Sequence, residues 1–317
     1  MDLTLIIPTF NRAHLLRECL NSVFRAVRPE SMDITVLVVD NNSTDNTKET
    51  VQPFLEQGGL TCKYLFVERP GKSAALNEAL AQTNSELVGL IDDDEQVDPS
   101  WLEVVYSEFS ADPTLDYIGG PYYPNWGAAV PDWLQSYGAA IGVVLRPERL
   151  EFTPQWDEIL MGGNAVIRRS ILQKVLPYPE QLGNIGNKIR AGEDEVIYHR
   201  LLRIGARGVN IPNLIIHHWI PAERLTKSYY RKWTIGRGIS VGFQLRERGF
   251  PERSLFRIPR YLVGNAIRSL RVILLSRSQA DRFVAQLRIL DCLATLYGRH
   301  VFSRNTVWNS DTIAKPE

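Results

Sequence analysis

Residues 87–94 read LVGLIDDD, an unbroken apolar run that ends in three aspartates. A short apolar run without alternation is typical of a strand that is buried on both faces of a sheet. Three earlier runs have the same character, and they lie at Leu3–Ile7, Ile34–Val39 and Tyr64–Val67. We therefore predict buried strands at Leu3–Ile7 and Ile34–Val39 and further strands at Tyr64–Val67 and Leu87–Ile91.

Amphipathic helices are predicted between these strands. Apolar residues recur at helical spacing in Arg12–Arg25, and helices are also predicted at Asn46–Glu56 and Lys72–Ala81. Strands that alternate with helices favour an α/β fold, in which a mostly parallel sheet is covered by helices on both faces. Further along, the sequence predicts strands at Tyr117–Gly120, Gly163–Ile167 and Leu214–His217 and a helix at Glu193–Ile204.

The composition is that of a globular protein with a large core. The chain has 317 residues, of which 44% are hydrophobic and 9% aromatic, which excludes disordered and collagen-like classes. Its cysteines, Cys19, Cys62 and Cys292, are scattered, which predicts a reducing compartment without a disulfide framework. The N-terminal apolar run is too short for a signal peptide, and no stretch approaches the length of a transmembrane helix. We expect a soluble or peripherally attached intracellular protein.

The formal net charge of zero hides two regions of opposite sign. Residues 1–224 contain 19 basic and 30 acidic residues, a net charge of −11. Residues 225–304 contain 16 basic and 4 acidic residues, a net charge of +12. We predict a domain boundary at residue 224, then a basic amphipathic helical region over 225–304 and a flexible tail over 305–317.

The basic region carries two amphipathic stripes, and helices are the only elements predicted there. About 100° per residue places seven apolar residues of Ile258–Ser276 on one arc with three arginines beside it, and Asp281–Tyr297 carries a second stripe. The arc consists of Leu262, Val263, Ala266, Ile267, Leu270, Ile273 and Leu274, and the arginines are Arg260, Arg268 and Arg271. Two interpretations stay open: the helices lie against an anionic membrane, or they pack on the acidic domain or a partner subunit.

Polar clusters follow four of the predicted strands. They are 8–12 (PTFNR), 40–43 (DNNS), 69–73 (RPGKS) and 92–94 (DDD). In an open parallel sheet, ligands bind outside the carboxyl ends of the strands, so we expect these clusters to form one site. Three adjacent carboxylates repel one another unless a cation lies among them, and their oxygens suit Mg²⁺ or Mn²⁺. The alternative is a solvated acidic turn that caps the following helix.

Two common nucleotide-binding motifs are missing from the sequence. No G-x-G-x-x-G follows a predicted strand and there is no Walker P-loop, which disfavours dinucleotide dehydrogenases and P-loop NTPases. Lys72 nevertheless begins a predicted helix, whose N-terminus could hold a phosphate. Asp40 ends a neighbouring strand and could bind a base or a ribose.

Seven short motifs, taken in order, resemble the family 2 glycosyltransferases, which have the GT-A nucleotide-diphospho-sugar transferase fold. They are 6–12 (IIPTFNR), 38–45 (VVDNNSTD), 71–77 (GKSAALN), 90–94 (LIDDD), 162–165 (GGNA), 192–195 (GEDE) and 218–221 (HWIP). Their order is specific for the family but not for a sugar. The resemblance implies a GT-A catalytic domain over 1–224, with a nucleotide-binding half over about 1–98, an acceptor half over about 99–224 and a C-terminal helical extension.

The resemblance implies a nucleotide-sugar donor, with a UDP-sugar favoured over a GDP- or dTDP-sugar. It also implies a divalent cation, Mn²⁺ or Mg²⁺, held on the diphosphate by Asp94, with His218 as a further ligand. A histidine at a strand end can instead serve packing or hydrogen bonding, and that alternative stays open. The implied donor-binding residues are Pro8, Thr9, Asn11, Arg12, Asp40, Asn42, Lys72, Asn77, Asp92 and Asp93.

The resemblance further implies direct displacement with inversion at the anomeric carbon. Asp194 would act as the general base on the acceptor hydroxyl, while a cation and a lysine stabilise the leaving nucleoside diphosphate. Alternatively, the acids of residues 193–195 only favour the N-terminus of their helix. The acceptor would be a sugar or a lipid-linked sugar in polysaccharide or glycolipid assembly. Its expected contacts are Trp126, Gly163, Asn164 and Glu193.

Two features depart from the family pattern. The middle residue of the acidic motif, Asp93, is itself an acid, so the choice of metal-binding carboxylates stays open. Residues 231–233 (RKW) match the Q-x-x-R-W element of processive synthases only loosely. We therefore expect one sugar to be transferred in each binding event.

Two alternative functions share the predicted architecture. A non-catalytic module for sugar nucleotides or glycans would keep the fold, but the acidic motif and Asp194 argue against it. A sugar-1-phosphate nucleotidyltransferase would need a glycine-rich basic loop after the first strand, and residues 8–12 contain no glycine. Nucleic acid is not an expected partner, because the basic residues lie on amphipathic helices. The expected location is cytoplasmic, with peripheral attachment to the inner face of the cell membrane under the membrane interpretation.

Overall fold

The chain forms two compact units, an N-terminal unit over Met1–Thr226 and a C-terminal unit over Lys227–Glu317. The structure, a computed structural model, describes residues 1–134, 142–153, 159–185, 190–247, 254–255 and 258–301. Sequence analysis placed the boundary at residue 224. The tail predicted over 305–317 lies outside the described residues.

The N-terminal unit alternates strands and helices. Its strands are β1 (Asp2–Thr9), β2 (Asp33–Asp40), β3 (Thr61–Phe66), β4 (Leu87–Leu90), β5 (Glu95–Val97), β6 (Tyr117–Gly119), β7 (Tyr122–Trp126), β8 (Leu150–Glu151), β9 (Ala165–Arg168), β10 (Gly208–Asn210) and β11 (Ile216–Ile220). Its α-helices are α1 (Ala13–Arg25), α2 (Thr47–Glu56), α3 (Lys72–Ala81), α4 (Trp101–Ala111), α5 (Arg169–Leu172) and α6 (Glu193–Arg203). Short 3₁₀ turns lie at Asp132–Leu134, Gly162–Asn164 and Ala222–Leu225.

Eight strands form one sheet in the order β3-β2-β1-β4-β9-β6-β10-β8. Strands β1 to β4 are mutually parallel, and β6 pairs in parallel with β10. Only two members of this sheet, β9 and β8, run antiparallel to their neighbours. The predicted α/β fold with a mostly parallel sheet is therefore confirmed.

Burial of both sheet faces explains the unbroken apolar run of β1. Successive side chains of a strand point to opposite faces. Leu3, Leu5 and Ile7 lie in one core with residues of α1, α2 and α4. Ile6 lies in the other core with residues of α3 and α6. Helices thus cover both faces, as a strand without polar alternation requires.

A second sheet of three strands, in the order β5-β11-β7, was only partly predicted. Its central strand β11 overlaps the strand predicted at Leu214–His217 but begins two residues later. Residues 122–126 (YYPNW) form β7, where no strand was predicted. Proline and asparagine are uncommon in strands, which is why this one was missed.

The C-terminal unit is mainly helical, but it is not helical only. It consists of α7 (Lys227–Glu247), β12 (Ser254–Leu255), β13 (Ile258–Pro259), α8 (Arg260–Leu275) and α9 (Gln279–Val301). The helix predicted from Ile258 begins at Arg260, because a residue that precedes a proline is disfavoured in helical conformation. Helix α9 packs against both α7 and α8. Among the described residues, none of the helices has both the length and the apolar character that a membrane crossing requires.

Candidate active site

The carboxyl ends of β1, β2 and β4 lie side by side at one edge of the large sheet. Thr9, at the end of β1, is in register with Asp40, at the end of β2. Beyond β4, the amide of Ile91 still donates to the carbonyl of Ile6 at 3.2 Å, which keeps the acidic motif next to β1. The parallel order of the strands therefore brings the polar clusters together, as expected for such a sheet.

Asp93 faces the end of β1. Its Oδ2 accepts a hydrogen bond of 2.8 Å from the Thr9 hydroxyl, and its Oδ1 accepts one of 2.9 Å from Nη1 of Arg12. Burial raises the pKa of Asp93, while Arg12 and Thr9 act in the opposite direction. All these contacts are within the protein, so Asp93 fastens the acidic motif to β1 and the start of α1.

Asp94 lies beside two arginines and a histidine. Its Oδ2 accepts hydrogen bonds from Nη2 of Arg224 at 2.8 Å and from Nη1 of Arg12 at 3.2 Å. Nε2 of His218 is 3.7 Å from the same oxygen. Burial alone would raise the pKa of Asp94, but His218, Arg224 and Arg12 outweigh it and hold this pKa well below its usual range. Asp94 is therefore ionised at neutral pH.

His218 is presented to this group by β11. His217 and His218 point to opposite sides of the strand, and only His218 is buried. Nη1 of Arg224 is 2.9 Å from Nε2 of His218. Since an arginine only donates, Nε2 accepts this contact, and Nε2 is also the His218 atom that lies near Asp94.

Three carboxylates at the end of β4 fit a divalent cation. Asp92, Asp94 and Glu95 each offer one oxygen, and these oxygens lie within 4.8 Å of one another. Glu95 is buried, and its Oε2 accepts a hydrogen bond of 2.8 Å from the Asp92 amide. Burial raises the pKa of Glu95, and the charges of Asp92 and Asp94 raise it further. Hard oxygen ligands in such a cluster suit Mg²⁺ or Mn²⁺.

Lys72 connects this cluster to α6. Its Nζ lies 2.7 Å and 2.9 Å from the two carboxylate oxygens of Asp92, and 3.6 Å from Oε1 of Glu193. Gly71, which precedes α3, has a φ of +127°, a backbone conformation that favours glycine and lets the helix begin at Lys72. Burial lowers the pKa of Lys72, but the surrounding acids, Asp92 first, raise it above its usual value. The lysine is thus a fixed positive charge between two acidic groups.

Asp194 lies against the turn Gly162–Asn164, where glycine is a steric requirement. A Cβ at Gly162 would lie 2.1 Å from Oδ1 of Asp194, and a Cβ at Gly163 would lie 2.3 Å from Oε1 of Glu95. Burial raises the pKa of Asp194, whereas Lys72 and a backbone hydrogen bond from Gly162 lower it. Its Oδ1 is buried and has no hydrogen-bond partner in the described part of the chain. Oδ1 of Asp194 therefore keeps its capacity to accept a proton.

Two predicted ligand-binding asparagines form hydrogen bonds within the protein. Asn164 is fully buried, accepts from Trp101 Nε1 at 2.9 Å and donates to the Leu214 carbonyl at 2.7 Å. Asn77 donates to the Tyr178 carbonyl at 2.9 Å and accepts from its amide at 2.8 Å. These bonds favour a structural role for both residues over the predicted contacts with acceptor and donor.

The loops after β1 and β2 are joined to each other. Asp40 is buried and accepts hydrogen bonds from the Ser43 amide at 2.8 Å and the Tyr64 hydroxyl at 2.6 Å. Oδ1 of Asn11 accepts from the Thr44 amide at 2.7 Å. Asn11 and Asn42 are exposed and have φ values of +54° and +67°, a conformation that asparagine tolerates. These loops and the buried Pro8 lie together, and their contact with a nucleoside stays a prediction.

Trp126 lies at the end of β7 in the small sheet. It is in register with Ile220, two positions beyond the pair of Pro124 and His218. Trp126 and His218 therefore belong to the same face of that sheet. The side chain is half-buried, and its predicted contact with an acceptor stays a prediction.

Three residues of this site were missed by sequence reasoning. Glu95 directly follows the three aspartates, and Arg224 follows the HWIP motif by three residues. Asn41 is buried, and its side chain accepts from the Gly71 amide at 2.6 Å and donates to the Arg69 carbonyl at 2.7 Å. The fourth consecutive acid was a readable signal for Glu95. Nothing in the local sequence marks Arg224, whose role depends on the pairing of β11 with β5 and β7.

The sequence profile described as Glycosyl transferase family 2 matches residues 4–176, which is more than half of the chain. The chain belongs to this family. The matched region includes the acidic motif, Lys72 and the Gly162–Asn164 turn, but it ends before α6 and β11. Asp194, His218 and Arg224 lie outside the matched region. Only their contacts in the structure place them beside the matched residues.

Curated relatives match over shorter stretches. Glycosyltransferase AglE of Haloferax volcanii is 28% identical over 182 residues, which are 56% of this chain and 56% of that protein. The GalNAc(5)-diNAcBac-PP-undecaprenol beta-1,3-glucosyltransferase of Campylobacter jejuni is 33% identical over 97 residues, which are 30% of each chain. The chain spans about half the length, or less, of the curated relatives that it matches.

Solved structures match over almost the whole chain. The mannosyltransferase PcManGT from Pyrobaculum calidifontis, in complex with GDP-Man and Mn²⁺, has a TM-score of 0.59 and 17% identity and covers 96% of this chain and 88% of its own. TarS 1–349 of S. aureus, in complex with UDP-GlcNAc, has a TM-score of 0.55 and 17% identity and covers 96% and 92%. At this identity the likeness concerns the fold, and it confirms the GT-A prediction with a C-terminal helical extension.

Proposed function

We propose that this family 2 member transfers one sugar at a time from a nucleotide-diphosphate donor to an acceptor hydroxyl, with inversion at the anomeric carbon. The observation that carries the proposal is the placement of Asp194. Its buried Oδ1 has no partner among the described residues, and its pKa is raised by burial. The charges of Lys72 and Asp92 act on it, and it lies against the Gly162–Asn164 turn. A base and a site for a charged leaving group thus meet at one sheet edge.

The nucleotide end of the donor is assigned to the carboxyl ends of β1 and β2. Pro8, Thr9, Asn11 and Arg12 line one side, and Asp40 with Asn42 lines the other. A UDP-sugar is the favoured donor and a GDP- or dTDP-sugar the alternative. Two proteins of similar fold support a nucleotide sugar, because they were solved with GDP-Man and with UDP-GlcNAc.

The diphosphate is assigned to the region between Lys72 and Asp94. Asp94, Asp92 and Glu95 would hold a divalent cation, with His218 as a nitrogen ligand. Such a cation, when bound, supplies positive charge to the phosphate oxygens as negative charge develops on them. Lys72 supplies a second, permanent positive charge from the protein itself. The Mn²⁺ in the PcManGT complex supports a cation in this fold.

The transfer step follows from this arrangement. Asp194 takes the proton of the acceptor hydroxyl as its oxygen forms a bond to the anomeric carbon. The bond from that carbon to the diphosphate oxygen breaks at the same time, and the leaving nucleoside diphosphate keeps the electron pair. Attack from the face opposite the leaving group inverts the carbon and needs no covalent intermediate on the enzyme.

A sugar or lipid-linked sugar is the proposed acceptor, and Trp126, Gly163 and Glu193 are the residues assigned to its side of the site. The Campylobacter relative supports a lipid-linked acceptor, since its name specifies an undecaprenol-linked substrate. We accordingly propose a cytoplasmic protein attached to the inner face of the cell membrane.

A panel of nucleotide sugars with Mn²⁺ tests the proposal. The donor should raise the midpoint of thermal unfolding, because ligand at about 100 times its Kd stabilises the native state by about 2.7 kcal/mol. The same donor should be turned over, slowly with water alone and faster with an acceptor. Stabilisation without any turnover would identify a binding module. Formation of a nucleotide sugar from a sugar 1-phosphate would identify a nucleotidyltransferase.

A further inference from the structure

Part of the predicted apolar arc of α8 is exposed. Leu262 is buried, and its carbonyl accepts a hydrogen bond of 3.4 Å from Cys292 of α9. On the same predicted arc, Ile267 is 56%, Leu270 52% and Leu274 77% exposed. The arc is wider than the contact with α9, so one part is packed and the other part is exposed.

The exposed residues form a continuous strip with arginines at its margin. With about 100° per residue, Leu270, Leu274 and Ile267 fall within about 60° of one another around the helix. Arg260 and Arg271 are both exposed and lie within about 40° of Ile267, at the margin of the strip away from Leu270. The exposed face of α8 thus combines large apolar side chains with long cationic ones.

Charge on this face has one sign. Farther around the helix, past Arg260 and Arg271, Leu275 is 75% exposed and Arg268 is exposed beside it. Helix α8 contains three arginines and no acidic residue, and the 225–304 region as a whole has a net charge of +12. An amphipathic helix on a bilayer carries basic residues beside its apolar strip, and a face without acidic residues complements an anionic surface.

We propose that this face of α8 binds the surface of an anionic bilayer. Leu270, Leu274 and Ile267 enter the boundary between head groups and acyl chains, and Arg268 and Arg271 contact the lipid phosphates. The helix lies in the plane of the surface. The inference deepens the proposed location by naming the surface that attaches, and it depends on the C-terminal unit alone rather than on the transfer reaction.

Co-sedimentation of the full chain with vesicles tests this proposal. Vesicles of phosphatidylglycerol and phosphatidylcholine should bind the protein, vesicles of phosphatidylcholine alone should bind it much less, and salt should release it. Arg268→Gln with Arg271→Gln should lower the partition coefficient about 25-fold, at about fivefold for each basic residue. Leu270→Ser with Leu274→Ser should abolish binding. Arg288→Gln, which removes an exposed arginine from α9, is the matched control. It should lower the partition coefficient by no more than about fivefold, the effect of one charge.

Folding and activity are measured on the same preparations. Circular dichroism should show intact helices in both double variants, because the substituted residues are exposed, and turnover with a water-soluble acceptor should be unchanged. Wild-type protein that stays in the supernatant with anionic vesicles at low salt would overturn the proposal. Binding of the double-leucine variant at the wild-type level would also overturn it. The same holds if the wild type is a dimer, the double-leucine variant is a monomer, and neither protein binds vesicles.

Discussion

The carboxylate of Asp194 occupies the space that a side chain at residue 162 would need. A Cβ built on Gly162 would lie 2.1 Å from Oδ1 of Asp194. The GGN motif and the GEDE motif are thus two halves of one arrangement, because the missing side chain in the first permits the position of the acid in the second.

Gly162→Ala should therefore impair catalysis by moving Asp194. Displacement of a reacting group by about 1 Å can cost about 100-fold in rate, and we expect kcat to fall by about that factor. Crowding should also destabilise the fold by roughly 1–3 kcal/mol. Steady-state kinetics and thermal unfolding measure the two effects. Gly58→Ala, at a position with open space around it, is the control. Equal kcat values for the two variants would show that the close approach has no catalytic role.

Asp94→Asn should abolish the response to divalent cations while the fold is retained. The amide keeps the shape of the carboxylate but loses the charge that pairs with Arg12 and Arg224 and that would bind the proposed cation. Turnover as a function of Mn²⁺ concentration, with and without a chelator, checks this. Full turnover of the wild type in excess chelator would contradict the proposed metal role.

The rate should depend on pH through the proposed base. Burial raises the pKa of Asp194, and a base acts only when it is deprotonated, so kcat should increase with pH. The midpoint of this increase should lie above the ordinary aspartate value of about 3.9. Because Glu193 is next to Asp194, the midpoint belongs to the pair. A pH profile of kcat that is flat, or that falls as the pH rises through this range, would exclude Asp194 as the base.

Asn164→Ala should lower stability rather than acceptor affinity. The substitution leaves Trp101 Nε1 and the Leu214 carbonyl buried without their partner, at a cost of roughly 2–4 kcal/mol. Urea unfolding of this variant should be compared with that of Asn125→Ala, an exposed asparagine on β7 whose loss should change little. A stable Asn164 variant with a raised KM for the acceptor would instead support the predicted acceptor contact.

Much of the N-terminal sheet could be predicted because its central strands are buried on both faces. β1, β2 and β4 leave an unmistakable apolar pattern, and α3 begins and ends where its pattern does. β7 could not be predicted, because it owes its conformation to pairing with β11. Short strands of this kind are set by their partners more than by local preference.

The candidate site was predictable where chemistry is concentrated in sequence. Adjacent aspartates and a lysine at a helix start are local signals, so Asp92, Asp94 and Lys72 could be named. Arg224 could not, since its 2.8 Å contact with Asp94 joins residues that are 130 positions apart. The hydrogen bonds of Asn164 and Asn77 could not be predicted for the same reason, because their partners are distant in sequence.

The most direct test of the proposed reaction compares Asp194→Asn with the wild type in two measurements, kcat with a saturating donor and acceptor, and donor affinity by calorimetry. The amide has the size of the carboxylate but cannot take the acceptor proton, so kcat should fall by about 10²–10⁴ while the donor Kd stays within a fewfold. Glu195→Gln, in the same helical turn, should leave kcat near the wild-type value. An Asp194 variant that retains kcat and loses donor affinity instead would contradict the assignment of Asp194 as the base.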